Sequence, residues 1–153
     1  MYKPNFLPYL PIEVLLSSIL EYISMLTEAL IRTIFAPWEA GDSAPFFAAL
    51  PDNVSFIILG KHNPLFGKYD SKAEVLNLFG RFASKLAAPL VGKVTNVLVA
   101  GNSFVVEMAA TSVTTAGTDY EMDLCWICRY ENGKIVEVKF YMDSALMKKV
   151  FEE

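Results

Sequence analysis

The 153-residue chain is long enough for one domain with a substantial core, and 54% of its residues are hydrophobic and 13% aromatic. An apolar excess of this kind is expected either to be covered by a second copy of the chain or to line a cavity. The net charge is −4 and the 13 lysines and arginines are scattered along the chain, which argues against a nucleic-acid partner.

The apolar N-terminus is the one region where a membrane segment has to be considered. Its longest uncharged run in the helical part, residues 14–20, ends at Glu21 and is far shorter than the roughly 20 residues that a membrane span requires. Lys3 is the only early cation and no small-residue cleavage site follows, which argues against a signal peptide. We therefore expect a cytoplasmic protein without a membrane span.

Cys125 and Cys128 have the spacing of a redox or metal pair, but both fall within a predicted strand. Residues three apart on a strand point to opposite faces, so we interpret both as packed core thiols. His62 is the only histidine, which makes a histidine-based metal site unexpected. The chain has no phosphate loop or nucleotide fingerprint, and no cofactor is predicted.

The first half of the chain is predicted to be mainly helical. The spacing of its polar residues predicts one long helix over residues 12–35, which Pro37 ends, after an irregular arm over residues 1–10. The apolar arc of this helix is so wide that we expect burial on more than one side. Asp42 is placed to cap a short helix that follows.

The second half alternates between turn signals and apolar runs. A strand at 54–59 and a loop at 60–70 precede a helix, which Ser71 and Glu74 open as a capping box. The remaining strands are separated by glycine-containing turns and are predicted at 93–100, 104–114, 118–130 and 134–142. Asn132-Gly133 is the strongest hairpin signal, because a type I′ turn needs positive φ at both central residues.

This order, with helices first and strands last, indicates an α+β fold with the helices on one face of an antiparallel sheet. A strongly curved sheet wrapped around the N-terminal helices would form a cone with an internal pocket. We find no linker or repeat and predict a single domain over residues 1–153.

The order and spacing of several short motifs resemble the SnoaL-like branch of the nuclear transport factor and ketosteroid isomerase superfamily. The resemblance covers about residues 25–144 and leaves residues 1–24 as an N-terminal extension with the start of the first helix. It implies a cone, usually dimeric, with a deep apolar pocket; members include polyketide cyclases, steroid isomerases, epoxide hydrolases, dehydratases and binders. The motifs are Trp38, Gly41-Asp42, Phe46-Phe47, Leu50-x-Asp52-x-Val54-x-Phe56, Gly67-Lys68-Tyr69-x-Ser71-Lys72-x-Glu74-Val75, Arg129-x-Glu131-x-Gly133-Lys134-Ile135 and Tyr141-x-Asp143.

Asp143 is the first candidate for a catalytic residue. In the epoxide hydrolases and SnoaL-type cyclases that the chain resembles, a catalytic acid or base stands near the end of the last strand, which implies a proton-transferring role for Asp143. The alternative is that Asp143, held by Tyr141, is the N-cap of the helix that starts near Ala145.

Glu107 interrupts an otherwise apolar strand. The corresponding strand of limonene-type epoxide hydrolases carries Glu-Arg-x-Asp, whereas this chain has Glu-Met-Ala-Ala starting at Glu107. Because the arginine and one aspartate are missing, that mechanism is not carried over. Glu107 either lines the pocket or forms an ion pair with Arg129 or Lys139.

Alternation assigns Asp119, Glu121 and Asp123 to one face of their strand and Met122 and Trp126 to the other. Three carboxylates are typical of a solvated face, which would turn Met122 and Trp126 toward the pocket or core. If the acidic face were concave instead, Asp123 would be its best pocket candidate.

Four further residues are candidates with two interpretations each. His62 lies near the position where ketosteroid isomerases carry their proton-shuttling aspartate; it is either a base opposite Asp143 or an exposed loop residue. Tyr69 and Tyr141 either donate hydrogen bonds to a ligand carbonyl or pack with satisfied hydroxyls. Phe56 belongs to the aromatic set that would form the core and part of any cavity wall.

Two classes of function remain. The first is a cofactor-free acid/base enzyme, of cyclase, isomerase or dehydratase type, acting on an apolar oxygenated small molecule such as a polyketide, terpenoid or steroid-like compound. Asp143 would be its principal acid or base, with His62 or Glu107 second. The alternative is a non-catalytic small-molecule-binding or dimerisation domain, with epoxide hydrolysis as a third option. The additional surface of the N-terminal helix indicates either a homodimer, which we expect, or a lid over the pocket mouth. An Asp143 that only caps its helix would favour the binder.

Overall fold

The computed structural model of the protein describes residues 10–24 and 26–153. The helices are α1 (Ile12–Ser24), α2 (Glu28–Phe35), α3 (Ala44–Ala49), α4 (Lys72–Ala83) and α5 (Ser144–Glu152), and a 3₁₀ turn at Ala36–Ala40 follows α2. The strands are β1 (Ser55–Ile58), β2 (Gly67–Tyr69), β3 (Val91–Ala100), β4 (Ser103–Val113), β5 (Asp119–Glu131) and β6 (Lys134–Tyr141). No helix among the described residues is both long enough and apolar enough to cross a membrane.

All six strands form one curved, open sheet in the order β2-β1-β6-β5-β4-β3. Strands β3 to β6 form an antiparallel meander, whereas β1 lies parallel to β6. Asn132 and Gly133 join β5 to β6 and have φ angles of 50° and 77°, as a type I′ turn requires. The predicted α+β fold with a curved sheet is confirmed.

The inner face of the sheet carries the core, and the outer face carries the charges. On β5 the inner residues from Tyr120 to Cys128 are buried, whereas the acidic residues between them are exposed. Trp126 is at the centre of the inner face and stacks on Phe140 with ring centroids 3.7 Å apart. Phe35, Phe46 and other aromatic rings from α2, α3 and α4 surround it. The helices therefore cover the face that carries Trp126.

The prediction of one helix over residues 12–35 is wrong. The hydroxyl of Thr27 accepts a hydrogen bond from the backbone N–H of Leu30 at 3.1 Å, so Thr27 is the N-cap that starts α2 as a separate helix. The expected burial of α1 on several sides is also absent, because its side chains from Ile12 to Leu20 are all exposed. The arm predicted for residues 1–10 lies outside the described residues, except for Leu10.

The local signals located the other elements well, with one omission. The Ser71 hydroxyl accepts from the Glu74 backbone N–H at 3.2 Å and opens α4, and Asp42 accepts from the Ala44 backbone N–H at 2.9 Å before α3. The predicted loop at 60–70 contains the short strand β2, which pairs with β1. Both thiols are on β5 and are free: Cys128 is buried on the inner face and Cys125 is half-buried on the outer face.

Candidate functional site

A small cavity lies between the inner face of the sheet and helices α4 and α5. Its volume is about 20 Å³. Its lining residues include Trp38, Phe79, Phe82, Tyr120, Trp126 and Phe140. None of the described residues that line it is an aspartate, glutamate, histidine, lysine or arginine. Tyr120, Trp38 and Trp126 are therefore the lining residues whose side chains carry an O–H or N–H group.

An open groove of about 520 Å³ lies on the other side of α4, between that helix and residues 86–90. Four residues, Trp38, Phe79, Phe82 and Leu90, line both the groove and the cavity. The groove and the cavity are therefore adjacent, and these four side chains belong to the wall of each.

Both indole N–H groups in this region lack an acceptor. Trp38 is 3% exposed and Trp126 is fully buried, and neither Nε1 atom has a hydrogen-bond partner among the described residues. A buried donor without a partner costs about 1–3 kcal/mol. Most buried polar groups in proteins are paired, so two such donors beside one cavity require an explanation.

Tyr120 is the hydroxyl-bearing residue of the cavity wall. Its hydroxyl donates to the Sδ atom of Met122 at 3.1 Å. Burial, and to a smaller extent the negative charge of Asp143, raises the pKa of Tyr120 well above its ordinary value. The phenol therefore stays protonated at neutral pH and remains a hydrogen-bond donor.

Asp143 is exposed and caps helix α5. Its Oδ1 atom accepts hydrogen bonds from the backbone N–H groups of Ala145 at 2.8 Å and Leu146 at 3.1 Å. Asp143 does not line the cavity, although its charge reaches the Tyr120 hydroxyl. Its catalytic role stays a prediction.

Glu107, Asp123 and Tyr141 come together on the outer face of the sheet. They line a second, polar groove of about 480 Å³, which the sheet separates from the cavity. The Asn96 side chain donates to Glu107 at 3.1 Å, and the half-buried Cys125 thiol beside Glu107 has its pKa raised by burial and then by that carboxylate.

The ion pairs considered for Glu107 are made by other carboxylates. Arg129 pairs with Glu131, and Lys139 lies 4.0 Å from Glu137. Among the described residues, neither cation is within salt-bridge distance of Glu107.

The remaining candidates lie apart from one another. His62 is exposed in the loop before β2 and lines neither the cavity nor the grooves. The Tyr69 hydroxyl donates to the Leu65 carbonyl at 2.8 Å, and burial raises the pKa of Tyr69. Phe56 is fully buried beside Trp126.

The structure thus brings one proposed binding residue, Trp126, to the cavity wall; Phe56 packs beside it, and Met122 is buried on the same face of β5. Phe79 and Phe82 belong to the aromatic set that was expected to form the core and part of any cavity wall, whereas Trp38 and Tyr120 were not predicted to line a cavity. Tyr120 shares the apolar face of β5 with Trp126, so the alternation of that strand could have indicated it. Trp38 lies in a 3₁₀ turn, where no periodic pattern points to a cavity.

The described residues contain no group of three or more side chains of histidine, cysteine, aspartate or glutamate that could hold a metal ion.

Residues 31–138 match the SnoaL-like domain. The chain belongs to the SnoaL-like family. This confirms the resemblance inferred from the motifs, and the matched segment includes β1 to β5, the first part of β6, α4 and most of the cavity wall. A search of curated proteins gives no match.

Solved structures share the fold of this SnoaL-like chain at low sequence identity. An NTF2-like protein of unknown function from Burkholderia pseudomallei K96243 is 18% identical, with a TM-score of 0.68 over 80% of this chain and 95% of that one. An NTF2-like protein from Burkholderia thailandensis E264 is 17% identical, with a TM-score of 0.68 over 82% and 96% of the two chains. TerC, co-crystallised with polyporic acid, is 14% identical, with a TM-score of 0.67 over 80% and 95%.

Proposed function

We propose that this SnoaL-like protein binds an apolar small molecule between the inner face of its sheet and helix α4. The observation that carries the proposal is the cavity wall itself, which consists of aromatic and aliphatic side chains with a few hydrogen-bond donors. Small-molecule sites are typically apolar pockets with a small number of polar groups that orient the ligand.

Binding requires the cavity to open. A volume of about 20 Å³ holds one water molecule, whereas ligand sites typically measure about 300–1,000 Å³. The groove supplies about 520 Å³ on the other side of Phe79 and Phe82. We therefore propose that ligand entry moves these rings and joins the two spaces. TerC, which shares the fold, was co-crystallised with polyporic acid.

Native mass spectrometry of freshly purified protein tests this function. We expect a retained apolar molecule that leaves under denaturing conditions, and rebinding of that molecule to stripped protein. The test variant is Gly80→Phe, whose larger side chain occupies the groove beside α4 and should reduce rebinding. Protein that carries no small molecule and takes up none from a set of apolar ring compounds would contradict the proposal.

Acid/base turnover of the cyclase, isomerase or dehydratase type is a second candidate. The supporting observation is that Tyr120 lines the cavity and that burial, and to a smaller extent the charge of Asp143, raises its pKa, because a protonated tyrosine can stabilise an enolate. Polyketide, terpenoid or steroid-like ketones are the corresponding substrates. Deuterium exchange at the α-carbon of a bound ring ketone, followed by NMR in D₂O, should be fast in the wild type and slow in Asp143→Asn. Equal exchange rates would remove Asp143 from the mechanism.

We also propose a homodimer. The supporting observation is α1, on which the apolar side chains of Ile12, Leu16, Ile19 and Leu20 are 73%, 53%, 52% and 66% exposed. A contiguous apolar surface of this kind is rare on monomeric proteins.

A further inference from the structure

Trp38 and Trp126 are the two tryptophans of the chain, and they lie next to each other with ring centroids 5.2 Å apart. Both line the cavity. Trp38 is 3% exposed and Trp126 is fully buried, and neither indole N–H has a hydrogen-bond partner among the described residues. A phenylalanine at either position would keep an aromatic ring without the cost of an unpaired donor.

We infer that the two indole N–H groups bind a hydrogen-bond acceptor of the ligand, and that the ligand is a flat, uncharged ring compound with a carbonyl oxygen. This inference rests on the proposed binding function and specifies its ligand class. The carbonyl accepts from the Trp126 or the Trp38 N–H, or from both, and satisfies donors that otherwise remain unpaired.

The absence of charged side chains from the described cavity wall indicates an uncharged ligand. An indole N–H is a neutral group that only donates, and none of the described residues in the wall is a lysine or arginine that could neutralise an anion. A buried carboxylate without a cation is strongly disfavoured. A cation is disfavoured equally, because the wall has no carboxylate.

The arrangement of rings indicates a flat ligand. Trp126 lies nearly parallel to Phe140, with an interplanar angle of 19°, and to Phe79, with an angle of 15°. Phe79 and Phe140 are also close to parallel, at 18°. A flat ring that displaces Phe79 would stack on the face of Trp126 that Phe79 now covers, in the offset geometry that aromatic pairs prefer.

A single water is the competing occupant of the closed cavity. The volume admits one water, and its oxygen could accept from an indole N–H. A ring carbonyl would displace this water and accept the same hydrogen bond. If the carbonyl accepts this bond, the protein prefers a ligand with a carbonyl to the same ligand without one; if a water keeps the bond, it has no such preference.

The test uses two probes of nearly equal shape, 9-fluorenone and fluorene, which differ by a carbonyl in place of a methylene. Because the chain has two tryptophans, a ¹⁵N-labelled sample gives two indole cross-peaks, which Trp38→Phe assigns. We expect fluorenone to move at least one indole proton downfield and fluorene not to do so. The preference for fluorenone over fluorene should fall about fivefold in Trp38→Phe or Trp126→Phe, the loss of one hydrogen bond.

Comparing the ratio of the two affinities cancels the difference in their solubility. Phe104→Leu is the matched control, because it alters a buried aromatic residue outside the cavity and groove walls and keeps both donors; its preference ratio should equal that of the wild type. If Trp126→Phe fails to fold, the indole proton shifts of the wild type and the ratio of fluorenone to fluorene affinity in Trp38→Phe still test the carbonyl inference.

The possible outcomes distinguish failure of the carbonyl inference from failure of the proposed binding function. Binding of both probes with an unchanged ratio in the tryptophan variants and no downfield shift would overturn the carbonyl inference and leave apolar binding intact. Binding of neither probe would overturn both.

Discussion

Asp143 is a side chain whose structural and chemical roles can be separated by substitution. Its carboxylate accepts two backbone hydrogen bonds at the start of α5. Asparagine can accept the same bonds without a charge, whereas alanine can accept none. The two variants therefore report on the cap and on the charge independently.

We expect Asp143→Ala to lower the free energy of unfolding by about 1 kcal/mol, and Asp143→Asn to lower it by clearly less, because asparagine remains a good N-cap. Urea unfolding monitored by circular dichroism measures the difference. Equal losses in the two variants would show that the charge of Asp143, and not its capping bonds, stabilises α5.

Tyr120 is the residue from which we expect sensitivity to alkaline pH. Burial and the charge of Asp143 raise its pKa above the ordinary value of 10.0, so the folded protein holds the phenol proton more tightly than the unfolded chain does. The resulting stabilisation is complete below pH 10.0 and is lost as the pH rises toward the folded-state pKa.

We expect the difference in unfolding free energy between the wild type and Tyr120→Phe to shrink as the pH rises above 10.0, because the variant has no phenol to ionise. Burial also raises the pKa of the Cys128 thiol, but that contribution is the same in both proteins. Parallel loss of stability in the two would mean that Tyr120 does not cause the alkaline sensitivity.

Among the secondary-structure elements, α4 forms the wall between the groove and the cavity. Phe79 and Phe82 point into that wall, and Gly80 lies between them on the groove side. A Cβ atom added at Gly80 would have no heavy atom within 4 Å. Glycine inside a helix is about 0.5–1 kcal/mol less favourable than alanine. Gly80 therefore leaves room in the groove but makes helix α4 less stable than alanine would.

We expect Gly80→Ala to raise the free energy of unfolding by about 0.5–1 kcal/mol and to leave ligand uptake almost unchanged. Gly80→Phe should preserve the fold and slow or weaken uptake, because the larger side chain occupies the groove. Stopped-flow binding of 9-fluorenone to the three proteins measures the effect. Uptake by Gly80→Phe at the wild-type rate would exclude the groove as the entrance.

How far the elements could be predicted depended on whether their signal was local. The capping box at Ser71 and the hairpin turn at Asn132 act through neighbouring residues, and both gave the correct boundary. Strand β2 has three residues and becomes a strand only through pairing with β1, so its own sequence contains no alternation. Thr27 was missed because the apolar spacing of the helix continues across it.

The cavity was predictable only in part, for a related reason. Alternation along β5 separated Trp126 from Asp123 correctly, but it cannot state which face the helices cover. That choice depends on Phe35, Phe46 and Phe79, which arrive from three different helices. The groove, formed by α4, the 3₁₀ turn and residues 86–90, has no signature within any single segment.

For the molecule as a whole, α1 is the feature that the compact domain does not explain. Thr27 caps α2 independently of α1, so the domain beginning at residue 26 has its own helix start. The side chains from Ile12 to Leu20 are exposed, and none of them belongs to the buried core.

We expect the full chain to form a dimer and the chain without residues 1–24 to form a monomer that still unfolds cooperatively, with a circular dichroism spectrum that lacks only the helical signal of α1. Multi-angle light scattering measures the masses. The full-length variant Leu16→Glu, which keeps the helix but adds a charge to its apolar surface, should behave like the truncated chain. A truncated chain of dimeric mass would assign the dimer to another surface.

The parallel pairing of β1 with β6 has a consequence for the order of folding. Ser55 of β1 lies opposite Glu137 of β6, so the neighbour that β1 needs on one side is synthesised only near the end of the chain. The β3–β6 meander can zip from hairpin to hairpin, but β1 and β2 must wait for a contact between distant parts of the sequence, and such contacts slow folding. On the ribosome, the N-terminal half therefore emerges with Phe56 and Ile58 still unprotected, and attachment of this edge is the step at which chaperones would be needed most.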